Sequence, residues 1–286
     1  MMPKIYILLP VHNRRDITER FIDCLVAQTY TNYHLVLIDD GSIDNTDEMV
    51  KSKVSNLTVL KGKGDWWWAG SLQRGLEWFK DNQVNDNALI LFINDDVCFL
   101  PDYLEQACQV MANKKGVLVL SRFRSIDNER IVETGVCADL HNLSFKVAEV
   151  GEKINCLSTR GLFAYWKDIF AIGDFHPTLL PHYLSDYEYT IRAHNKGFGC
   201  ETSADILIEP NDETTGYHKI NEEHFVGFIK KYFSKKNAGN PIYWTTFVFI
   251  TSEFLWVVPN LIRVWVIAVK TIFNFFLISK KSCPHQ

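Results

Sequence analysis

The sequence predicts an α/β protein: a mostly parallel central sheet flanked by helices on both faces. Two observations carry this. Short runs rich in Val, Ile and Leu alternate with segments whose apolar residues recur at helical spacing. The connections between them are polar and rich in Asp, Asn and Gly, as chain reversals at the ends of a layered sheet require.

In chain order, residues 5–9 form the first strand, and residues 16–28 a helix with Ile17, Phe21, Cys24, Leu25 and Gln28 on one face. A strand at 35–38 runs into DDGSIDNT, a cluster of turn formers and helix caps, which leads to a helix near 46–53. Residues 57–60, 89–93 and 117–120 are further strands, separated by helices near 70–80 and 101–113. Beyond about residue 125 the alternation fades. LFAYWKDIFAIGDF reads as an apolar helix, Asp186 and Glu188 precede a helix ending at Lys196-Gly197, and residues 206–208 read as a last strand.

The chain's 286 residues can bury one large core with an appendage. A net charge of −4 gives no footprint for a nucleic-acid partner. That total hides an asymmetry: residues from Val226 on carry +7, and the remainder −11. The seven cysteines are odd in number and scattered, with no C-x-x-C pair, which reads as reduced thiols in a cytoplasmic protein. The apolar run after MMPK is too short for a signal peptide and reads as a strand.

Ligands of open parallel sheets bind beyond the carboxyl ends of the strands. Here those ends read PVHN, Asp39-Asp40-Gly41-Ser42 and Asn94-Asp95-Asp96. One carboxylate pair is an ordinary cap; two on neighbouring strand ends repel unless a cation or a donor-rich ligand sits between them.

The order PVHNR (10–14), IDDGSIDNT (38–46), NDD (94–96) and SDYEYTIRAHNKG (185–197) resembles the family-2 glycosyltransferases of GT-A fold, over roughly residues 3–220. The WWxG segment, and TRG before an apolar stretch, are similar to enzymes that build bacterial surface polysaccharide such as O-antigen or capsule, rhamnosyltransferases among them. The resemblance implies a GT-A domain over 1–222, with a nucleotide-sugar half to about 122 and an acceptor half to 222. It implies a UDP-, dTDP- or GDP-sugar donor, inversion, and Mg²⁺ or Mn²⁺.

It implies donor contacts from Pro10 and Asn13, with Asp40 accepting from the nucleobase and Asp39 either assisting or capping the turn. Asp95 would face the ribose or sugar, and Asp96 the metal. Arg160 either meets phosphate or pairs with a site carboxylate. The acceptor hydroxyl needs a carboxylate base, which the resemblance assigns to Asp186, although Ser185 stands where the family has Glu. The alternative for Asp186 is a helix cap, and Glu188 is the rival on the acceptor side. His182 is an acceptor-side residue or a bystander, His218 a third metal ligand or a surface residue, and His12 structural.

GDWWWAG precedes a helix whose buried stripe is Ala69, Leu72, Leu76 and Phe79. Successive helical residues turn by about 100°, so all three tryptophans cannot be core. Trp68 falls on the stripe, leaving Trp66 (acceptor) and Trp67 (donor) to offer rings to sugar or nucleotide.

The tail, 223–286, contains the breaker cluster NAGNP at 237–241 and is basic and aromatic. Glu253, Pro259, Asn260, Arg263 and Lys270 interrupt it and no charge-free stretch reaches the roughly 20 residues that span a bilayer, so a broken helical segment lying on an anionic membrane surface is expected. The alternative is a helical pair packed on the body. Together these readings predict a glycosyltransferase on the inner face of the cell membrane with a glycan, lipid-linked acceptor. Competing readings are a nucleotidyltransferase, which would want a Gly-rich basic loop that PVHNRR lacks, and a non-catalytic scaffold or binding subunit that has kept the fold.

Overall fold

The computed structural model describes residues 2–124, 131–133, 135–149, 151–211 and 224–281. The first half runs β1 (Ile5–Val11), α1 (Arg15–Val26), β2 (Tyr33–Asp39), α2 (Thr46–Lys53), β3 (Leu57–Lys61), α3 (Trp67–Asp81), β4 (Leu89–Phe92), β5 (Val97–Cys98), α4 (Tyr103–Met111) and β6 (Val117–Arg124). Then follow β7 (Ile131–Glu133), β8 (Val136–Asp139), β9 (Ser144–Val147), β10 (Leu162–Tyr165), α5 (Trp166–Ile172), α6 (Ser185–Asn195) and β11 (Gly199–Pro210). Three helices close the chain: α7 (Phe225–Tyr232), α8 (Pro241–Thr251) and α9 (Phe254–Lys281).

Among the described residues the main sheet has the order β3-β2-β1-β4-β10-β6-β11-β5, with β7 beside β6. β1 pairs in parallel with both β2 and β4, setting Leu8 opposite Val36 and Phe92. The strand order reverses at β1, so a crevice opens between the carboxyl ends of β1 and β4. Pro10 fits this otherwise central strand because β4 stops opposite Leu8, leaving no partner there for an N–H.

Successive side chains along a strand point to opposite faces, and both faces here are apolar. Ile7, Leu9, Leu35 and Leu91 pack under α1 and α4 through Phe21 and Leu104. Leu8, Val36 and Ile90 pack under α3, α5 and α6 through Leu72, Leu76, Ile169 and Tyr189. The expected stripe of Ala69, Leu72, Leu76 and Phe79 is fully buried or nearly so.

Two expectations are corrected. LFAYWKDIFAIGDF is half strand: Leu162–Tyr165 enters the sheet as β10, antiparallel to both β4 and β6, and only Trp166–Ile172 is helical. The tail is not broken at Pro259. Its last helix, α9, runs for 28 residues with Pro259 inside it, and Phe254–Phe275 is long and apolar enough to cross a membrane. The preceding α8 packs on the body, with Phe247 fully buried beside Val136, Leu184 and Ile191.

Candidate active site

The second strand delivers Asp39 and Asp40 to the rim, and the following loop folds back on them. Asp39 accepts the Ser42 N–H through Oδ1 (2.8 Å). Asp40 is fully engaged: Oδ1 accepts from Gly64 N (2.8 Å), and Oδ2 from Trp66 N (2.8 Å) and Trp67 N (3.2 Å). Its charge thus holds the aromatic loop and the positive end of α3. Gly62 permits that closeness, because a Cβ there would run into the Asp40 carboxylate and lie 2.9 Å from the Trp66 ring. The nucleobase role expected of Asp40 therefore meets a carboxylate already committed to three backbone donors.

Asn13 and His12 are tied to the same loop. Asn13, at φ 51°, donates its N–H to Ser42 Oγ (3.0 Å) and accepts from Ile43 N (2.9 Å). His12 Nδ1 lies 2.6 Å from the Asp40 carbonyl, which fits its expected structural part. Pro10 ends beneath this knot, half-buried.

The fourth strand delivers Asp95 and Asp96, 2% and 4% exposed. Asp95 accepts the Thr18 hydroxyl (2.9 Å) and faces Arg14 Nη1 at 3.2 Å. Burial pushes its pKa up to about 6, against the pull of Arg14. Arg14 Nη2 also stands 3.8 Å from Asp96 Oδ2, while Asp96 Oδ1 is buried with no hydrogen-bond partner among the described residues. Arg14 and Thr18 were not legible as site residues, since nothing in PVHNRRDIT separates Arg14 from Arg15.

An orphaned carboxylate oxygen inside an acidic pair suits a hard cation, and Mg²⁺ commonly binds through one or two carboxylates plus substrate phosphates. Among the described residues no group of three or more His, Cys, Asp or Glu could hold a metal alone. His218, the expected third ligand, lies outside the described residues. The described chain beside the pair ends at Asn211, which donates its N–H to Asp96 O (3.0 Å) and its side-chain amide to Asp95 O (2.7 Å).

The third wall is the start of α6. Leu184, at φ 69°, is the N-cap, so Asp186 does not cap the helix; it is half-buried in the first turn and accepts the Tyr187 N–H (2.9 Å). Glu188 is removed from the acceptor side. It is 3% exposed and forks to Arg192 Nε (2.7 Å) and Nη2 (3.1 Å), with Arg192 also donating to the Ile172 and Asp174 carbonyls. In a helix, residues 186 and 188 point apart, so the two carboxylates serve different surfaces.

The tryptophans join these walls. Trp66 and Trp68 are both half-buried against the core, and Trp68 donates its indole N–H to Thr159 Oγ1 (3.0 Å), beside Arg160. Trp67, at φ 58°, meets the His182 ring edge-on at 5.8 Å and carries Lys235 over its face at 5.4 Å. Burial, with Lys236 nearby, pulls the His182 pKa down to about 4. Trp66 lines a cleft of about 380 Å³ with Gln73, Arg74, Pro177, Lys235 and Tyr243. Arg160 lies over the Phe123 ring at 5.2 Å and forms no ion pair among the described residues.

A mostly parallel α/β sheet with paired carboxylates at its switch point, and a cleft lined in part by Trp66 and Tyr243, fits the GT-A fold. Residues 6–164 match the family described as Glycosyl transferase family 2, more than half of the chain, and the protein belongs to that family.

Among curated relatives, the UDP-Glc:α-D-GlcNAc-diphosphoundecaprenol β-1,3-glucosyltransferase of Escherichia coli is 26% identical over 132 residues, 45% of this chain and 49% of that protein. An uncharacterized glycosyltransferase of Rickettsia prowazekii is 24% identical over 129 residues, 44% of this chain and 38% of its own. The matches thus span less than half the length of these relatives.

Of solved structures, the Pyrobaculum calidifontis mannosyltransferase with GDP-Man and Mn²⁺ covers 98% of this chain and 80% of its own, at TM-score 0.58 and 15% identity. Staphylococcus aureus TarS 1–349 with UDP-GlcNAc covers 91% and 79%, at TM-score 0.58 and 14% identity. At such identities these likenesses establish the GT-A fold.

Proposed function

We propose that this chain transfers a hexosyl or rhamnosyl group, with inversion, from a nucleotide-diphosphate sugar to a hydroxyl of a lipid-linked glycan at the inner face of the cell membrane, in surface-polysaccharide assembly. The observation that carries it is the buried Asp95–Asp96 pair, with one carboxylate oxygen unpartnered among the described residues, at the switch point of a family-2 chain. The lipid-linked acceptor is supported by the E. coli relative, whose acceptor carries diphosphoundecaprenol. A UDP- or GDP-sugar donor and Mn²⁺ are supported by the structural neighbours that hold them; a dTDP-sugar fits the same reading.

Asp96, with Asp95 beside it and His218 as the third ligand, would hold Mg²⁺ or Mn²⁺. When bound, the ion neutralises the diphosphate leaving group and orients it. Arg14, which bridges the pair, is then free to turn its guanidinium to phosphate oxygens, an exchange of one anionic partner for another. Asp39, with one oxygen committed to Ser42, accepts from the nucleobase, while Pro10 and Asn13 shape that pocket and Arg160, which lies over Phe123, meets donor phosphate. Asp186 takes the proton of the attacking hydroxyl, and its half-exposed position at the mouth of α6 suits that role. Trp66 and Trp67, with His182 behind, provide ring faces for donor and acceptor sugars.

The test is thermal unfolding with a panel of sugar nucleotides and Mn²⁺, where the right donor at a hundred times its Kd adds about 2.7 kcal/mol. Asp186→Asn should keep that response and lose transfer, whereas Asp96→Ala should lose the dependence on divalent cation and transfer together. Substantial cation-independent transfer by Asp96→Ala would overturn the mechanism. A wild-type protein that neither binds nor hydrolyses any donor would favour the scaffold reading.

A further inference from the structure

The last helix has the length and hydropathy of a membrane span, yet its surroundings are those of a helix lying flat. Asn260, Val264 and Ala268 recur every fourth residue and are 0%, 6% and 1% exposed. Asn260 donates to the Leu140 carbonyl (2.6 Å) in the turn between β8 and β9, and Arg263 donates to the His141 carbonyl (2.6 Å). Trp256 stacks on His141 at 4.8 Å. Further along, Ala268, Ile272 and Phe275 pack on Phe228 and Tyr232 of α7. One side of α9 is therefore walled by the body from Trp256 to Phe275.

The other side is bare and apolar. Leu255, Val258, Ile262, Val266, Val269 and Phe273 are 45 to 79% exposed and share one face. Arg263 and the exposed Lys270 stand at its margin, exposed Lys230 lies on the neighbouring α7, and Glu253 is the only acid from Val226 onward.

We infer that α9 lies in the plane of an anionic membrane, buried to about half its thickness in one leaflet, and does not cross it. At 1.5 Å per residue the walled stretch is roughly 28 Å long, nearly the thickness of the hydrocarbon layer. A crossing helix would drag the β8–β9 turn and the charged surface of α7 into that layer, where turn backbone and lysines have no partners. Lying flat, the helix buries its bare face among acyl chains, keeps the body in water, and sets its cations against lipid phosphates. The same arrangement places the acceptor cleft at the membrane: Tyr243 of α8 lines it, while Ile242, Phe249 and Ile250 of that helix are exposed. This rests on the membrane location proposed above and not on the transfer chemistry.

The experiment is flotation of the full chain, carrying an epitope tag after Gln286, with sealed vesicles of phosphatidylglycerol and phosphatidylcholine. Co-flotation is expected, weakening about fivefold for each lysine contact screened by salt or lost in pure phosphatidylcholine. The double variant Val269→Asp and Phe273→Asp touches only the bare face and should float roughly a hundredfold less, with unchanged melting and donor binding. Protease added outside should remove the tag. A protected tag on bound protein means a crossing helix and overturns the inference while leaving the membrane location standing. A wild type that fails to float and elutes as a stable dimer overturns both, with a second copy covering the face.

Discussion

Replacing Asp40 separates a scaffold carboxylate from a ligand carboxylate. The side chain is 6% exposed and accepts three backbone N–H groups, two of them from the first residues of the aromatic segment. A hydrogen bond to a charged group contributes about 1.5–3 kcal/mol, and an orphaned buried donor costs a comparable amount. The three bonds share one side chain and water can reach part of the loop, so Asp40→Ala should lose about 3 kcal/mol. Asp40→Asn keeps one acceptor oxygen but turns an amide toward a backbone N–H, and should lose about 2 kcal/mol. At 2–4 °C per kcal/mol for a chain of this order of size, Asp40→Ala should melt roughly 6–12 °C lower. Urea unfolding of the two variants, with nucleotide binding measured well below the melting temperature, is the assay. A stability loss under about 1 kcal/mol together with more than tenfold weaker nucleotide binding would refute the reasoning, because the carboxylate would then be reading the ligand.

Four further outcomes can be checked. His182 is held well below its ordinary pKa, at about 4, so the unfolded chain takes up a proton first as pH falls. Its stabilising contribution is complete above about 6.5 and is lost toward pH 4, about 3 kcal/mol in all, and His182→Phe should flatten that part of a pH series of urea melts. Glu188→Ala should cost about 3–5 kcal/mol by stranding Arg192, and kcat measured at low temperature should recover toward wild type if the pair is purely structural. Trp68→Ala should lose about 2–4 kcal/mol through its packing and its bond to Thr159, with KM little changed. Trp66→Ala should instead raise the acceptor KM at least tenfold with a smaller stability loss, as steady-state kinetics beside melting curves will show.

The parts of the fold that repeat a local rule were legible. α2 occupies the predicted residues 46–53 because its capping and turn signals are unambiguous, and the buried stripe of α3 follows from its 3.6 period. LFAYWKDIFAIGDF was misread because a buried strand and a buried helix are equally apolar; only its insertion between β4 and β6 decides that it begins as a strand. In the site, strand ends exposed the two aspartate pairs, but not which member is free, since backbone N–H groups 24 to 27 residues away occupy Asp40. Glu188 and Arg192 carried a signal that was available, four apart in the order that favours a helical ion pair. Arg14 carried none, because its partners lie about 80 residues downstream.

The position of β10 also bears on how the chain is made. β4 and β6 are synthesised early, yet each pairs with a strand that does not exist until residue 165 has been added. A chain emerging amino-terminus first can assemble β1 to β4 with their helices, and then must keep two unpaired edges, β4 apolar throughout and β6 apolar in its first half, from meeting a neighbour. β4 and β6 are joined by a late arrival of four residues, all buried. Fragments ending near residue 122 should therefore aggregate, and those that include residue 172 should be the first to gain protease resistance on the ribosome.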